Sequence, residues 1–289
     1  MRERFKGPLL IAATAILWSF GGLFIKLISW DAMTIIGMRA VFAAAVLALY
    51  MKKPRITFRP SVLLGALCMS GTTILFVFAN KLTTSANAIV LQYTSPIFIV
   101  VLSAVFLKKR PTATELVSVA AVFAGIALFF FDQLKPSAML GNILACLSGL
   151  TFSGVFLINQ MPDTRPEEAL LLGHIINIVI GLPFIITHIT AEPVSWLAII
   201  LMGVFQLGLS YVLFTIGIKL TMPITASLIS FIEPLLNPVW VLLLTGEKPS
   251  AWALAGAVVI IATIAVYTLL STRRDMRLEE TGETKEKAV

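Results

Sequence analysis

Glu233 stands about ten residues into an apolar run from 223 to 244, and Pro234 follows it directly. A charged side chain near the middle of a membrane costs about 2.5–3.5 kcal/mol on insertion scales, so its presence calls for a role. Proline has no backbone N–H and strains the turn before it, which leaves carbonyl oxygens free beside the carboxylate. An acid beside a broken helix suits recognition of a substrate ammonium or carriage of a proton. A structural ion pair inside a bundle is the competing role. Glu233 is thus a candidate both for substrate binding and for coupling.

Arg39 is the natural counterpart. It lies about eight residues into the run 32–50, roughly 10 Å from the outer end at 1.5 Å per residue. Its planar guanidinium can donate two parallel hydrogen bonds to a carboxylate; it could equally pair with Glu233 or hold backbone carbonyls. Lys26, near the end of the run 8–28, can snorkel to the interface. Neutral polar groups form a second layer. The run 85–107 opens SANAIVLQYTSP and carries Asn87, Gln92 and Tyr93. His174 and Asn177, at i,i+3, share a helix face, as do Gln206 and Ser210 at i,i+4, with Tyr211 adjacent. Taken singly, each fits an interhelical hydrogen bond of about 0.6 kcal/mol. Taken together, on several runs, they point to a polar cavity. Trp18, with Phe20, Phe24 and Phe152, fits core packing or stacking on substrate. The candidate substrate-binding set is therefore Glu233, Arg39, Asn87, Gln92, Tyr93, Trp18, His174, Gln206 and Tyr211.

The elements that must position these groups are ten apolar stretches. They cover 8–28, 32–50, 61–80, 85–107, 113–131, 138–158, 168–187, 194–215, 223–244 and 250–270. About twenty residues suffice to cross some 30 Å of hydrocarbon. With 58% hydrophobic and 13% charged residues and a mean hydropathy of +0.95, the 289-residue chain has little left for a soluble domain. The fold class expected is all-α integral membrane. Lys and Arg concentrate in alternate loops, at Arg2, Arg4 and Lys6, at 52–59, at 108–110, at Arg165 and Lys219, and at 273–277. The opposite loops carry Lys81, Lys135 and Lys248. This asymmetry puts both termini in the cytoplasm and accounts for the net charge of +7 without a nucleic-acid partner. Cys68 and Cys146 fall inside runs as small apolar residues. There is no HExxH, no paired Asp and no nucleophile–base pattern, so an enzyme is not expected, nor is a metal or cofactor.

The span 81–128 reads again 138 residues later. Lys81/Lys219, Leu82/Leu220, Thr83/Thr221, Pro96/Pro234 and Pro111/Pro249 are identical in register. Span one echoes span six at an offset of 132, through Phe20/Phe152, Gly22/Gly154 and Phe24/Phe156. Five runs per half is an odd number, so the second copy inserts inverted. The expected organisation is a first repeat over 1–132, an inverted second repeat over 133–272, and a disordered cytoplasmic tail over 273–289.

The second half carries FIEPLLNPVW and then the turn TGEKPSAW, from Thr245 to Trp252; the first half has LKKRPTATE at the equivalent place. In these features the chain, over roughly 8–270, resembles the EamA family of the drug/metabolite transporter superfamily. Lys109 stands where the second copy has Glu247. The resemblance implies ten transmembrane helices as two inverted five-helix repeats in the inner or plasma membrane. It implies transport of a small organic metabolite by alternating access, with export of an amino acid or similar compound favoured. The alternative is efflux of lipophilic or cationic toxic compounds. Expected partners are a small-molecule substrate, membrane lipid and protons through Glu233, in a monomer or homodimer.

Overall fold

In the computed structural model the described residues are 2–83, 85–106, 108, 110–129, 131, 139–158, 161, 163–245 and 251–280. Lys109, Lys135, Glu247, Lys248 and the tail beyond 280 lie outside them, and the side chain of Asn87 does too. Everything regular among the described residues is helical. The helices are α1 (Arg2–Trp18), α2 (Gly21–Leu27), α3 (Ala32–Met51), α4 (Pro60–Leu82), α5 (Ser85–Gln92), α6 (Ser95–Phe106) and α7 (Ala113–Phe129). They continue with α8 (Met139–Leu157), α9 (Pro166–His188), α10 (Pro193–Leu201), a π-helical stretch Met202–Leu209, α11 (Ser210–Ile218), α12 (Pro223–Ile229), α13 (Ile232–Thr245) and α14 (Ala251–Glu280). Proline opens α4, α9, α10 and α12, at a position whose missing N–H has no intrahelical partner anyway. Asp31 caps α3, its Oδ1 accepting from Met33 N and Thr34 N.

Six helical segments are long and apolar enough to cross a membrane: Phe5–Leu27, Ala32–Met51, Pro60–Leu82, Met139–Leu157, Pro166–His188 and Pro193–Ile218. Shorter apolar segments run over Ser95–Phe106, Ala113–Leu128, Pro223–Leu236 and Leu254–Tyr267. The apolar runs over 85–107 and 223–244 are each broken, at Tyr93–Thr94 and at Ser230–Phe231, the second beside Pro234 where a break is expected. The cause is local. Pro96 and Pro234 cannot donate to the carbonyls four residues earlier, those of Gln92 and Ser230. The run 8–28 is also interrupted, at Ser19–Phe20, ahead of Gly21–Gly22. At the far end α14 continues to Glu280, so residues 273–280 of the expected tail are helical. Arg, Met, Leu and Glu in that stretch are strong helix formers, and the next glycine comes only at 282.

α4 packs on α8 and α9, α1 on α11, α7 on α14, and α3 on both α9 and the π-helical stretch. The α3–α9 crossing is bare backbone: a Cβ on Gly181 would lie 2.6 Å from Gly37 Cα and 3.0 Å from the Met33 carbonyl oxygen. Hydrogen bonds lace both ends of the bundle. At one end Lys26 Nζ donates to the Asn80 carbonyl (2.7 Å) and Lys81 Nζ to that of Ile28 (3.2 Å). There, too, Ser29 N donates to Ser195 Oγ at 3.1 Å and Ser29 Oγ to Glu192 Oε2 at 2.5 Å. The two hydroxyls of Ser29 and Ser195 hold the Glu192 carboxyl below its usual range. At the other end Glu168 accepts from Thr57 N (2.9 Å) and Oγ1 (2.6 Å) and pairs with Arg165 (2.8 Å). Lys219 meets Glu167 at 2.8 Å and Arg59 meets Asp163 at 3.3 Å.

Candidate functional site

The freed carbonyls of the broken helices are where the polar side chains gather. Ser230 O, deprived of a donor by Pro234, accepts from Glu233 N at 2.9 Å. The Tyr93 hydroxyl lies 2.7 Å from the same oxygen and 2.6 Å from Glu233 Oε2. Tyr93, at the α5/α6 break, thereby reaches the α12/α13 break, and its ring contacts Phe231 with centroids 4.7 Å apart. Trp18 O, at the α1/α2 break, takes Gln206 Nε2 from the π-helical stretch at 3.3 Å. A π turn widens the helix by one residue, and here it directs Gln206 toward the opposing break.

Arg39 is 3% exposed, yet it makes no ion pair among the described residues. Of its expected partners it takes a carbonyl: Nη2 donates to Thr73 O at a long 3.4 Å. Its Nε has no hydrogen-bond partner among the described residues. His174, wholly buried, has neither ring nitrogen bonded among the described residues. It feels the charge of Arg39 and packs edge-on against Tyr211, with centroids 5.5 Å apart. Tyr211 in turn is within electrostatic reach of both Arg39 and Glu233. From Tyr211 the rings run on to Trp18 (5.6 Å), Phe152 (5.6 Å) and Tyr93 (6.4 Å). One chain of rings thus joins the guanidinium region to the carboxyl region. Trp18 Nε1, Asn177 Nδ2 and Gln206 Oε1 are likewise buried without partners among the described residues.

Of the nine sequence candidates, Glu233, Tyr93, Trp18, Tyr211, His174 and Arg39 converge on this connected cluster, and Gln206 borders it through the Trp18 carbonyl. Gln92 does not take part directly. Its Nε2 donates to Ser148 Oγ at 2.7 Å, and Ser148 donates to Thr72 O at 3.1 Å. Asn87 has no described side chain to place. Sequence reasoning missed the middle of α4. Ser70 donates to Asn177 Oδ1 (2.6 Å), Thr72 to Thr151 Oγ1 (2.9 Å), and Thr73 lends its carbonyl to Arg39. The signal was the cluster Ser70–Gly71–Thr72–Thr73 in mid-run. Phe156 and Phe214 were also missed; they complete the aromatic wall, 5.6 Å from each other.

Buried polar atoms in native structures are nearly always hydrogen-bonded, to protein or to ordered water, so these groups around a buried guanidinium mark a polar region inside an otherwise apolar bundle. Several helices long enough to cross a bilayer and a buried polar site among them define a multi-pass membrane protein of the transporter class. The model of the EamA-like transporter family matches residues 5–131 and again 139–269, and the chain belongs to that family. An Archaeoglobus fulgidus protein named an uncharacterized transporter is 24% identical over 287 residues, covering 91% of this chain and 97% of its own. An uncharacterized transporter YxxF of Bacillus subtilis is 26% identical over 220 residues, with 72% and 68% covered. A solved crystal structure matches with a TM-score of 0.76 at 19% identity, over 92% of this chain and 98% of its own, and so shares the fold.

Proposed function

We propose that the chain is a ten-helix secondary transporter built of two inverted repeats, 1–132 and 133–272, that carries a small zwitterionic metabolite such as an amino acid. Paired contacts support the repeat. Gly7 packs against Leu220 and Thr221, while Gly141 packs against Leu82 and Thr83, the same two residues 138 positions earlier. The helix breaks recur at the same offset, Tyr93 matching Phe231, and those two rings touch. In this reading both termini are cytoplasmic in the inner or plasma membrane, and the carrier works by alternating access between the two laced ends. Export is the direction favoured by the family.

The observation that carries the substrate class is the buried, unpaired Arg39 joined through aromatic rings to the buried Glu233. Arg39, with Trp18 Nε1 and Asn177 Nδ2 as further free donors, suits a carboxylate; Glu233 suits an ammonium. The aromatic wall alone would also suit a lipophilic cation, which is the second reading. Counterflow uptake into liposomes tests both, with labelled amino acids beside organic cations. Amino-acid accumulation lost in Glu233→Gln and in Arg39→Met supports the zwitterion carrier. Cation accumulation that survives Arg39→Met would replace it with the efflux reading.

A further inference from the structure

The contacts of Tyr93 do not balance if Glu233 is ionised. The phenol has one proton, and two oxygens lie within hydrogen-bond distance of it: Ser230 O at 2.7 Å and Glu233 Oε2 at 2.6 Å. A backbone carbonyl only accepts. If Tyr93 gives its proton to Ser230 O, the second contact needs a proton from the carboxyl group. If Tyr93 instead donates to a carboxylate, two acceptor oxygens face each other at 2.7 Å with no hydrogen between them. Among the described residues no cation compensates a carboxylate here. Among the described residues Glu233 has no ion pair, and the groups that face it are the phenols of Tyr93 and Tyr211, with Arg39 acting on Tyr211. At the α1/α2 break Ser19 Oγ accepts from Trp240 Nε1 of α13 at 2.8 Å and Phe20 stacks on the Trp240 ring, so that break supplies α13 with no charge.

We propose that Glu233 is protonated in this closed arrangement, donating to Tyr93 Oη while Tyr93 donates to Ser230 O, so that one proton latches the α5/α6 break to the α12/α13 break. On release, the proton passes from Glu233 Oε2 to water at whichever end has opened. The phenol proton then turns to the carboxylate, the stronger acceptor, and the link to the Ser230 backbone is lost. The freed carboxylate is the form that an ammonium group can bind. Substrate and proton therefore compete for one oxygen, which is how the latch would couple them; this last step rests on the transport reading.

Infrared spectroscopy of the purified full chain in lipid, titrated with protons and deuterons alone, tests the protonation without any substrate. At neutral pH the wild type should show a deuterium-sensitive carboxylic-acid band that Glu233→Gln removes. Tyr93→Phe, which keeps the ring, should shift the frequency of that band, because the carboxylic-acid O–H loses its acceptor at Tyr93 Oη. Absence of the band in the wild type at neutral pH, or a band whose frequency is the same in Tyr93→Phe, overturns the proposal, because an acid O–H that donates to the phenol must respond to its removal. If Tyr93→Phe does not fold, the band and its loss in Glu233→Gln still decide. A band that behaves as expected in a protein with no counterflow of any amino acid or cation would leave the protonated latch standing and remove the transport reading instead.

Discussion

Arg39→Met should separate stability from activity, and in opposite directions. The substitution keeps a long unbranched side chain but removes a charge that is 3% exposed and served by one 3.4 Å hydrogen bond. Burying a charge without a partner is unfavourable, and replacing poorly compensated buried ions by apolar groups of similar volume is often neutral or stabilising by about 1–4 kcal/mol. Loss of the Thr73 contact offsets only a fraction of that, since a net hydrogen bond to a charged group contributes about 1.5–3 kcal/mol at good geometry and this one is long. The purified variant should therefore melt at or above the wild-type temperature. A substrate carboxylate that lost its buried partner would give up about 2–4 kcal/mol, or roughly 30- to 1,000-fold in affinity. Thermal melts in detergent and concentration-dependent counterflow read the two effects. Arg39→Lys should fall between, since an ammonium cannot bind a carboxylate with two parallel bonds. The reasoning is refuted if Arg39→Met melts well below wild type while half-saturation for an amino acid is unchanged. Arg39 would then be a structural clamp on α4.

Other outcomes follow from particular contacts. Gly181→Ala should destabilise by about 1–3 kcal/mol, seen as a lowered melting temperature, because its Cβ meets the Gly37 backbone at 2.6 Å. Gly37→Ala should cost less, since its Cβ first meets a side-chain end, Ile185 Cδ1 at 2.7 Å, and the Gly181 backbone only at 3.0 Å. Asp31→Ala removes an N-cap that accepts two backbone donors, and about 1 kcal/mol of stability with it, measurable in the same melts. Glu192 is held below the ordinary carboxylate range, so its contribution to stability is full above about pH 4.3 and is lost as pH falls through its lowered value. Melting temperatures of Glu192→Gln should accordingly show a shallower acid decline than those of the wild type; identical slopes would dismiss the link.

Much of this site is legible from rarity. A guanidinium, a carboxylate and an imidazole in apolar runs are expensive enough that their types alone nominate Arg39, Glu233 and His174. Pro234 likewise marked the break beside Glu233, and Pro96 marks its counterpart. What resisted reading has an equally plain cause. Hydroxyl residues are cheap in a membrane helix because they can bond their own preceding turn, as Thr72 does to Cys68 O. Nothing in the sequence therefore distinguishes Thr72 or Ser148 from a self-satisfied neighbour until a second helix is placed beside it. The π-helical stretch carries no marker beyond Gly203 and Gly208, and the role of Ser230 lies in its carbonyl, which every residue has. The helical 273–280 segment was obscured by its charges, which suggest solvent exposure without excluding a helix.

The bare crossing of α3 and α9 carries one more consequence. Helices that interlock through side-chain ridges are held apart by those ridges, whereas at Gly37 and Gly181 the two backbones close to contact within a packing that runs along much of both helices. The separation of the axes is thus fixed at that pair, with no side chain there to yield. The ends are tied as well, where Asp31 meets His188 at 3.5 Å and Ser29 meets Glu192. A pair pinned in the middle and at its margin moves as a single block, so α3 and α9 would carry their neighbours with them in any rearrangement of the bundle.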